Sequence, residues 1–200
     1  TDNVAVLLRM ADVAYMMENY TAMSEVCDKA LHLDTSNLQT YLYYAKACRG
    51  LGDPIRAVAV LSLAIKLRED YYAARLLRGT ILLENHLLDD AAQDADYLFT
   101  HLEPNEDVLL LKARVLKAQE KTKEAEQVYG MVIEVNPFSL DAYRERYEVR
   151  TILGDAAGAA EDEASIKEMG AEVPEPSEGI EQKIKEKMQQ LDPYKVFHNE

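Results

Sequence analysis

A fixed step of 34 residues organises most of this chain. At one phase of the step the residues are small until the last, and at a second phase four of five are alanine. The first column is Ala11, Ala45, Gly79, Ala113 and Tyr147, and the second is Met23, Ala57, Ala91, Ala125 and Ala159. Self-similarity at a period of roughly 20–50 residues marks a repeat protein, whose units each pack on their neighbours. The period therefore predicts an array of small units.

Each unit is predicted to contain two helices. In the first unit, apolar residues recur at three- and four-residue intervals over 6–17 and again over 23–33, which is the spacing of an amphipathic helix. A short polar break separates the two segments, and Gly52 and Gly154 stand at the same break in later units. Glycine is common at such turns because it adopts backbone conformations that other residues avoid. The pattern predicts an all-α fold of antiparallel helix pairs.

These features together resemble the tetratricopeptide repeat (TPR) family. The resemblance consists of the period, the two small columns, the Gly-Asp turns, and the prolines Pro104 and Pro137 that close second helices. It covers five units, at 4–37, 38–71, 72–105, 106–139 and 140–173. The resemblance implies a right-handed superhelical solenoid whose first helices line a concave groove.

The sequence departs from the family pattern in two places. A column that is commonly leucine in the family holds Arg78, Lys112 and Arg146. In the fifth unit, Tyr147 replaces the small residue and Gly158 interrupts the second helix. Because terminal repeats meet water on one side and are usually atypical, we interpret the fifth unit as an end unit.

An apolar stripe follows the fifth unit. Ile180, Ile184, Met188 and Leu191 recur at i, i+4, i+8 and i+11 within an otherwise charged segment, as on an amphipathic helix. A helical array needs a polar outer face at its end. We therefore expect residues 177–191 to form a C-terminal cap helix, followed by a tail at 192–200.

Composition excludes some classes of partner. The net charge of −14 disfavours nucleic acids, because phosphate backbones are bound by lysines and arginines. No apolar run approaches the roughly 18 residues that a membrane span requires, so no membrane insertion is expected. Cys27 and Cys48 lie in apolar columns without a metal-type or disulfide-type spacing, which favours a reducing, cytoplasmic compartment. The chain starts at Thr1, which is compatible with a removed targeting peptide and leaves localisation open.

No catalytic or cofactor-binding motif is present in the sequence. The nearest approach to a ligand cluster is His86 with Asp90 and Asp94. His86 falls at a predicted turn, and acids suit the start of the helix that follows because they complement its dipole. We therefore predict a chain without enzymatic activity, without a cofactor and without a metal site.

The predicted first helices carry the candidate binding residues. They combine a row of leucines with tyrosines and with basic side chains that are unusual in so acidic a chain. This combination suits a protein or peptide ligand with apolar side chains and carboxylates, held by apolar burial and charge-assisted hydrogen bonds. The candidate residues are Leu8, Tyr15, Leu42, Tyr43, Lys46, Arg49, Leu76, Arg114 and Lys117.

Several alternatives stay open at this stage. Leucines at helical spacing also form cores, and the basic residues can instead pair with nearby acids for little energy. The chain can also be a homo-oligomerisation module whose groove is filled by its own tail or by a neighbour's, since residues 193–197 are apolar. In a third alternative, the array presents substrates to a catalytic domain outside this chain.

The small columns generate a stability prediction. Where two helices cross, the side chains at the contact set the distance between their axes, and alanine or glycine permits the closest approach. The substitution Ala45→Leu should overpack this junction and lower the free energy of unfolding by roughly 1–3 kcal/mol. Urea denaturation of the wild type and the variant measures the difference, and an unchanged midpoint would contradict the predicted helix crossing.

Overall fold

The computed structural model describes residues 3–174. Within that range it contains ten α-helices and no strand, which confirms the predicted all-α repeat fold. The helices are α1 Val4–Met16, α2 Tyr20–Leu33, α3 Leu38–Gly50, α4 Pro54–Leu67, α5 Tyr72–Glu84, α6 Leu88–His101, α7 Glu106–Ala118, α8 Thr122–Val135, α9 Leu140–Leu153 and α10 Ala156–Glu168. None of these helices is long and apolar enough to cross a membrane. The expected cap helix at 177–191 and tail at 192–200 lie outside the described residues.

The helices follow the 34-residue step without deviation. First helices begin at Val4, Leu38, Tyr72, Glu106 and Leu140. Second helices begin at Tyr20, Pro54, Leu88, Thr122 and Ala156. Each first helix and the second helix after it are called a repeat below.

The chain divides into two compact bodies. The N-terminal body is Thr1–Glu103 and the C-terminal body is Pro104–Glu200. In the N-terminal body each helix from α1 to α6 packs on the next, and α1 also contacts α3 while α3 contacts α5. In the C-terminal body α7 packs on α8, α8 on α9, and α9 on α10. Consecutive helices therefore bury one another in turn.

The small columns lie inside these contacts. Ala45 and Ala57 have no exposed surface and share a cluster with Leu61 and Ile81 in the N-terminal body. Ala113 and Ala125 are equally buried in the C-terminal body. Because alanine adds little bulk, the helices at these positions approach closely enough for larger neighbours to fill the surrounding space.

One backbone turn joins the two helices of every repeat. It places a single residue in the left-handed region, at the same position of the step each time. These residues and their φ angles are Glu18 54°, Gly52 74°, His86 60°, Glu120 62° and Gly154 78°. After the turn, Asp53 and Asp155 cap the next helix by accepting a hydrogen bond from the backbone N–H of Arg56 and Gly158. Such caps satisfy N–H groups that have no partner within the helix.

Two repeats contain a buried arginine–aspartate pair. Arg78 donates to Asp94 through Nε and Nη2, both at 2.7 Å. Arg146 donates to Asp162 in the same way, with its Nη2 at 2.6 Å from Oδ1. Both carboxylates are only 1% exposed. Each pair joins the two helices of one repeat and spans 16 residues.

These pairs explain the two arginines, Arg78 and Arg146, in the unusual basic column of the sequence. At the two positions occupied by Arg78 and Asp94, the first repeat has Met10 and Val26. A second arginine also approaches the carboxylate, since Arg75 Nη1 lies 3.4 Å from Asp94 Oδ1. A buried charge is tolerated only when it is paired and hydrogen-bonded, and here both conditions are met.

Two glycines should respond in opposite directions to replacement by alanine. Gly52 has a left-handed backbone and open space around its Cα, so Gly52→Ala should lower the free energy of unfolding by roughly 1–2 kcal/mol through the backbone alone. Gly130 lies within α8, where an added Cβ meets Arg146 at 3.7 Å, an ordinary contact. Gly130→Ala should therefore stabilise by about 0.8–1 kcal/mol. Urea titrations of both variants test the pair, and shifts of the same sign would contradict it.

The buried Arg78–Asp94 pair invites a double-mutant cycle. Asp94→Val alone leaves a buried guanidinium without its carboxylate and should cost about 3–5 kcal/mol of stability. Arg78→Met combined with Asp94→Val installs the side chains that Met10 and Val26 provide in the first repeat. It should recover part of that loss, because Arg75 still lacks the carboxylate that its Nη1 approaches. Chemical denaturation of the two single variants and the double variant gives the coupling energy. Additive losses in the double variant would show that the pair is not coupled.

Candidate binding surface

The first helices of the N-terminal body form a common face. Because α1 contacts α3 and α3 contacts α5, the predicted binding residues of these three helices lie on neighbouring helices. Leu8 is buried, whereas Leu42 and Leu76 are half-buried. The leucine row is therefore neither fully covered nor fully exposed. We call this surface the first-helix face, and its predicted residues are Leu8, Tyr15, Leu42, Tyr43, Lys46, Arg49 and Leu76.

Two tyrosines and a lysine meet on the first-helix face. Lys46 Nζ lies 5.3 Å from the centroid of the Tyr15 ring and 5.7 Å from that of the Tyr43 ring, within the range of cation–π attraction. The Tyr43 hydroxyl donates a 2.6 Å hydrogen bond to Asp12, which raises the pKa of Tyr43. Lys46 itself has no carboxylate within ion-pair distance among residues 3–174. We call Tyr15, Tyr43 and Lys46 the Tyr–Lys cluster.

Arg49, one turn beyond the Tyr–Lys cluster, already has a partner. Its Nε lies 3.0 Å from Glu84 Oε2, and its Nη2 contacts the other carboxylate oxygen. Both side chains are partly exposed, so the pair adds little to stability. A ligand carboxylate at this point would have to compete with Glu84.

Arg114 and Lys117 lie in the C-terminal body and are also paired. Arg114 Nε lies 2.9 Å from Glu145 Oε1, and its Nη2 lies 2.9 Å from Asp141 Oδ2. Lys117 Nζ lies 2.6 Å from Glu148 Oε2. All three carboxylates belong to α9, so these cations connect the two first helices of the C-terminal body. The binding role of Arg114 and Lys117 stays a prediction, but their charges are already matched within the protein.

A buried tyrosine reinforces the contacts of Glu145. The Tyr129 hydroxyl donates to Glu145 Oε2 at 2.6 Å, and the side chain has no exposed surface. Burial, and then the charge of Glu145, raises the pKa of this phenol. Glu145 is therefore held by Tyr129 and Arg114 together, in a polar network within the fold.

Pairing of these cations with nearby acids was allowed for from the sequence, but their acidic partners were not identified. Arg114 with Glu145 and Lys117 with Glu148 are each separated by 31 residues. Asp12 and Tyr43 are separated by the same distance in the N-terminal body. Residues 31 apart lie on the first helices of successive repeats, three positions short of the step. An acidic residue 31 positions after a basic one was therefore the sequence signal for the two ion pairs.

The described residues contain no metal-binding constellation. Across residues 3–174, no group of three or more His, Cys, Asp or Glu side chains could hold a metal ion. His86 occupies the left-handed turn, and Asp94 is engaged by Arg78. Cys27 is a fully buried free thiol, and burial raises its pKa to about 12. A thiol in that state is a poor nucleophile at neutral pH.

Comparison with solved structures identifies the class of protein as an all-α helical-repeat protein. MamA 41-end from Desulfovibrio magneticus RS-1 has a TM-score of 0.77 at 14% identity, covering 84% of this chain and 94% of that one. A tetratricopeptide repeat protein from Parabacteroides merdae has a TM-score of 0.73 at 19% identity, covering 94% and 73% respectively. YrrB, described as a TPR protein with an unusual peptide-binding site, has a TM-score of 0.67 at 15% identity, covering 92% and 93%.

The chain therefore has the tetratricopeptide repeat fold, and the resemblance that the sequence predicted is confirmed. No protein-family model matches the sequence, and no curated protein matches it. The identities to these three solved structures lie between 14% and 19%, so the likeness concerns the fold.

Proposed function

We propose that this protein is a non-catalytic scaffold that binds an acidic, aliphatic peptide segment of another protein on the first-helix face. The observation that carries the proposal is Lys46, a cation between two tyrosine rings that no carboxylate of the described residues neutralises. Half-buried Leu42 lies on α3 with Lys46, and half-buried Leu76 lies on the next first helix, α5. Together they offer an anion contact beside apolar surface.

The affinity for an acidic ligand is expected to come from direct contacts rather than from long-range attraction. A net charge of −14 repels an acidic ligand at a distance, and salt screens that repulsion beyond about 10 Å at 0.1 M. Affinity must then come from the charge-assisted hydrogen bond to Lys46 and from covering the leucines. Tyr15 and Tyr43 add flat apolar surface with a polar edge, as is usual at binding sites.

The fold is compatible with this function, since YrrB is described as having a peptide-binding site on a TPR protein. The alternative of self-association through the tail at 192–200 concerns residues outside the described range. Arg49, Arg114 and Lys117 remain secondary candidates within the proposal, because each would have to exchange an internal carboxylate for the ligand's.

A charge reversal at Lys46 tests the proposal. A displayed peptide library selected on the full chain should yield sequences with aspartate or glutamate beside aliphatic residues. Lys46→Glu should weaken the selected peptides at least about tenfold, because a charge-assisted hydrogen bond of roughly 1.5–3 kcal/mol is lost. Fluorescence anisotropy with labelled peptides measures the change in Kd.

Lys66→Glu is the matched control, because it makes the same charge change at an exposed position on the second helix α4. It should leave the affinity within about twofold, since surface changes away from a site are nearly neutral. Equal losses of affinity in the two variants would show that only the net charge matters, and would overturn the assignment of the site to Lys46. Arg114→Glu is unsuitable, because it would set a third carboxylate beside Asp141 and Glu145 and destabilise the fold.

A further inference from the structure

The outer side of the first repeat is an exposed apolar face. Val13 is 56% exposed, and the methionines on the same side are also exposed. Residues of α1 and α2 there line an open groove of about 400 Å³. We call this surface the end face, and its apolar residues are Val6, Met10, Val13, Met17, Ala22 and Val26.

The same positions are covered in other repeats. Among the counterparts of Val6, Thr40, Ala74 and Ala142 have no exposed surface. Among the counterparts of Val13, Ala47, Ile81 and Val149 are at most 1% exposed. The second helix of the preceding repeat buries each one. Ala47 packs on Cys27 of α2, Ile81 clusters with Leu61 of α4, and Val149 with Val132 of α8.

This comparison specifies what would cover the end face. The covering helices present buried apolar side chains at i, i+4 and i+7. These are Met23, Cys27 and Ala30 on α2, Ala57, Leu61 and Ala64 on α4, and Ala125, Tyr129 and Val132 on α8. The end face therefore corresponds to a surface that a second helix covers in later repeats, and no helix of residues 3–174 covers it. Its complement is an amphipathic helix with one apolar stripe.

The last described helix does not offer a comparable apolar seam. At the three positions of the covering stripe, α10 has Ala159, Glu163 and Ile166, so a charged residue replaces the centre of the stripe. Glu163 is ion-paired with Lys167. An aliphatic stripe laid there would desolvate that pair at its centre, while Ala159 and Ile166 are already buried. The end face is therefore a more apolar surface than α10 for the aliphatic stripe predicted for residues 177–191.

The dimensions of stripe and face agree. Ile180 and Leu191 are separated by as many residues as Val6 and Met17, about 16 Å along a helix. With α1 about 20 Å long and helices about 10 Å apart, the end face covers on the order of 400 Å². That is about half of the roughly 800 Å² per partner of a standard interface. One docked helix fits the area, and a contact of this size is weak enough for its occupancy to depend on protein concentration.

We propose that residues 177–191 of a second copy occupy the end face, with Ile180, Ile184, Met188 and Leu191 packed on α1 and α2. The second copy is the source because a repeat array propagates through sequential neighbours, and the contacts within each body follow that rule. The contact is head-to-tail, so each copy offers one segment and receives another, and assemblies larger than a dimer form as concentration rises. This surface differs from the first-helix face and does not depend on the proposed ligand.

Disulfide trapping tests the contact with full-length chains. Separately purified Val13→Cys and Ile184→Cys variants, carrying tags of different mass, are mixed and mildly oxidised. The mixed dimer should form at least about tenfold faster than with Leu63→Cys in place of Val13→Cys, because docking raises the local thiol concentration. Leu63 is a matched control at 54% exposure on α4. The native thiols are buried and do not interfere.

Equal trapping rates for Val13→Cys and Leu63→Cys would overturn the proposal. A monomeric cross-link in a Val13→Cys/Ile184→Cys chain at high dilution would place the segment on its own chain and also overturn it. Light scattering supplies a second measurement: the average mass should rise with concentration for the wild type and Leu63→Glu, but not for Val13→Glu or Ile184→Asp. Association that survives Ile184→Asp but not Val13→Glu would show that a surface other than residues 177–191 binds the end face, and would overturn the proposal.

Discussion

The fold depends on close contact between consecutive helices. None of the ten helices in residues 3–174 can bury its apolar side alone, because each is only 13 or 14 residues long and isolated helices of that length are marginal in water. Alanines such as Ala45 and Ala57, fully buried at the crossings, allow the larger Leu61 and Ile81 to fill the space around them. Stability is therefore distributed along the chain as a series of junctions between neighbours.

The sequence predicts the fold in detail because the determining signal is periodic. The step of 34 residues is sufficient to place helix starts such as Leu38 and Tyr72, and the glycine at position 52 indicates the turn. Glu18 and Glu120 adopt the same left-handed turn without glycine. At those two positions local preference gives way to the packing of the helices on either side.

The binding surface is less predictable for a physical reason. The columns of the repeat indicate which residues share a face, but they do not indicate which charges have been neutralised. Arg114 and Lys46 belong to one column, two steps apart, yet Glu145 engages the first and no carboxylate of the described residues engages the second. The difference lies in the residue that the next repeat places opposite each cation. Whether a cation can bind a ligand therefore depends on two columns, the one that holds the cation and the one that holds its acidic partner.

The buried Arg78–Asp94 pair also bears on how such a chain avoids misfolding. Chains built from similar helices risk pairing a first helix with the second helix of the wrong repeat. If α5 folded against α8 instead of α6, Arg78 would face Val128, the counterpart of Asp94, and its charge would be buried without a carboxylate. Arg146 against α8 would meet the same residue. The two ion pairs thus disfavour α8 as the within-repeat partner of α5 or α9, a pairing that the alanine columns alone would accept.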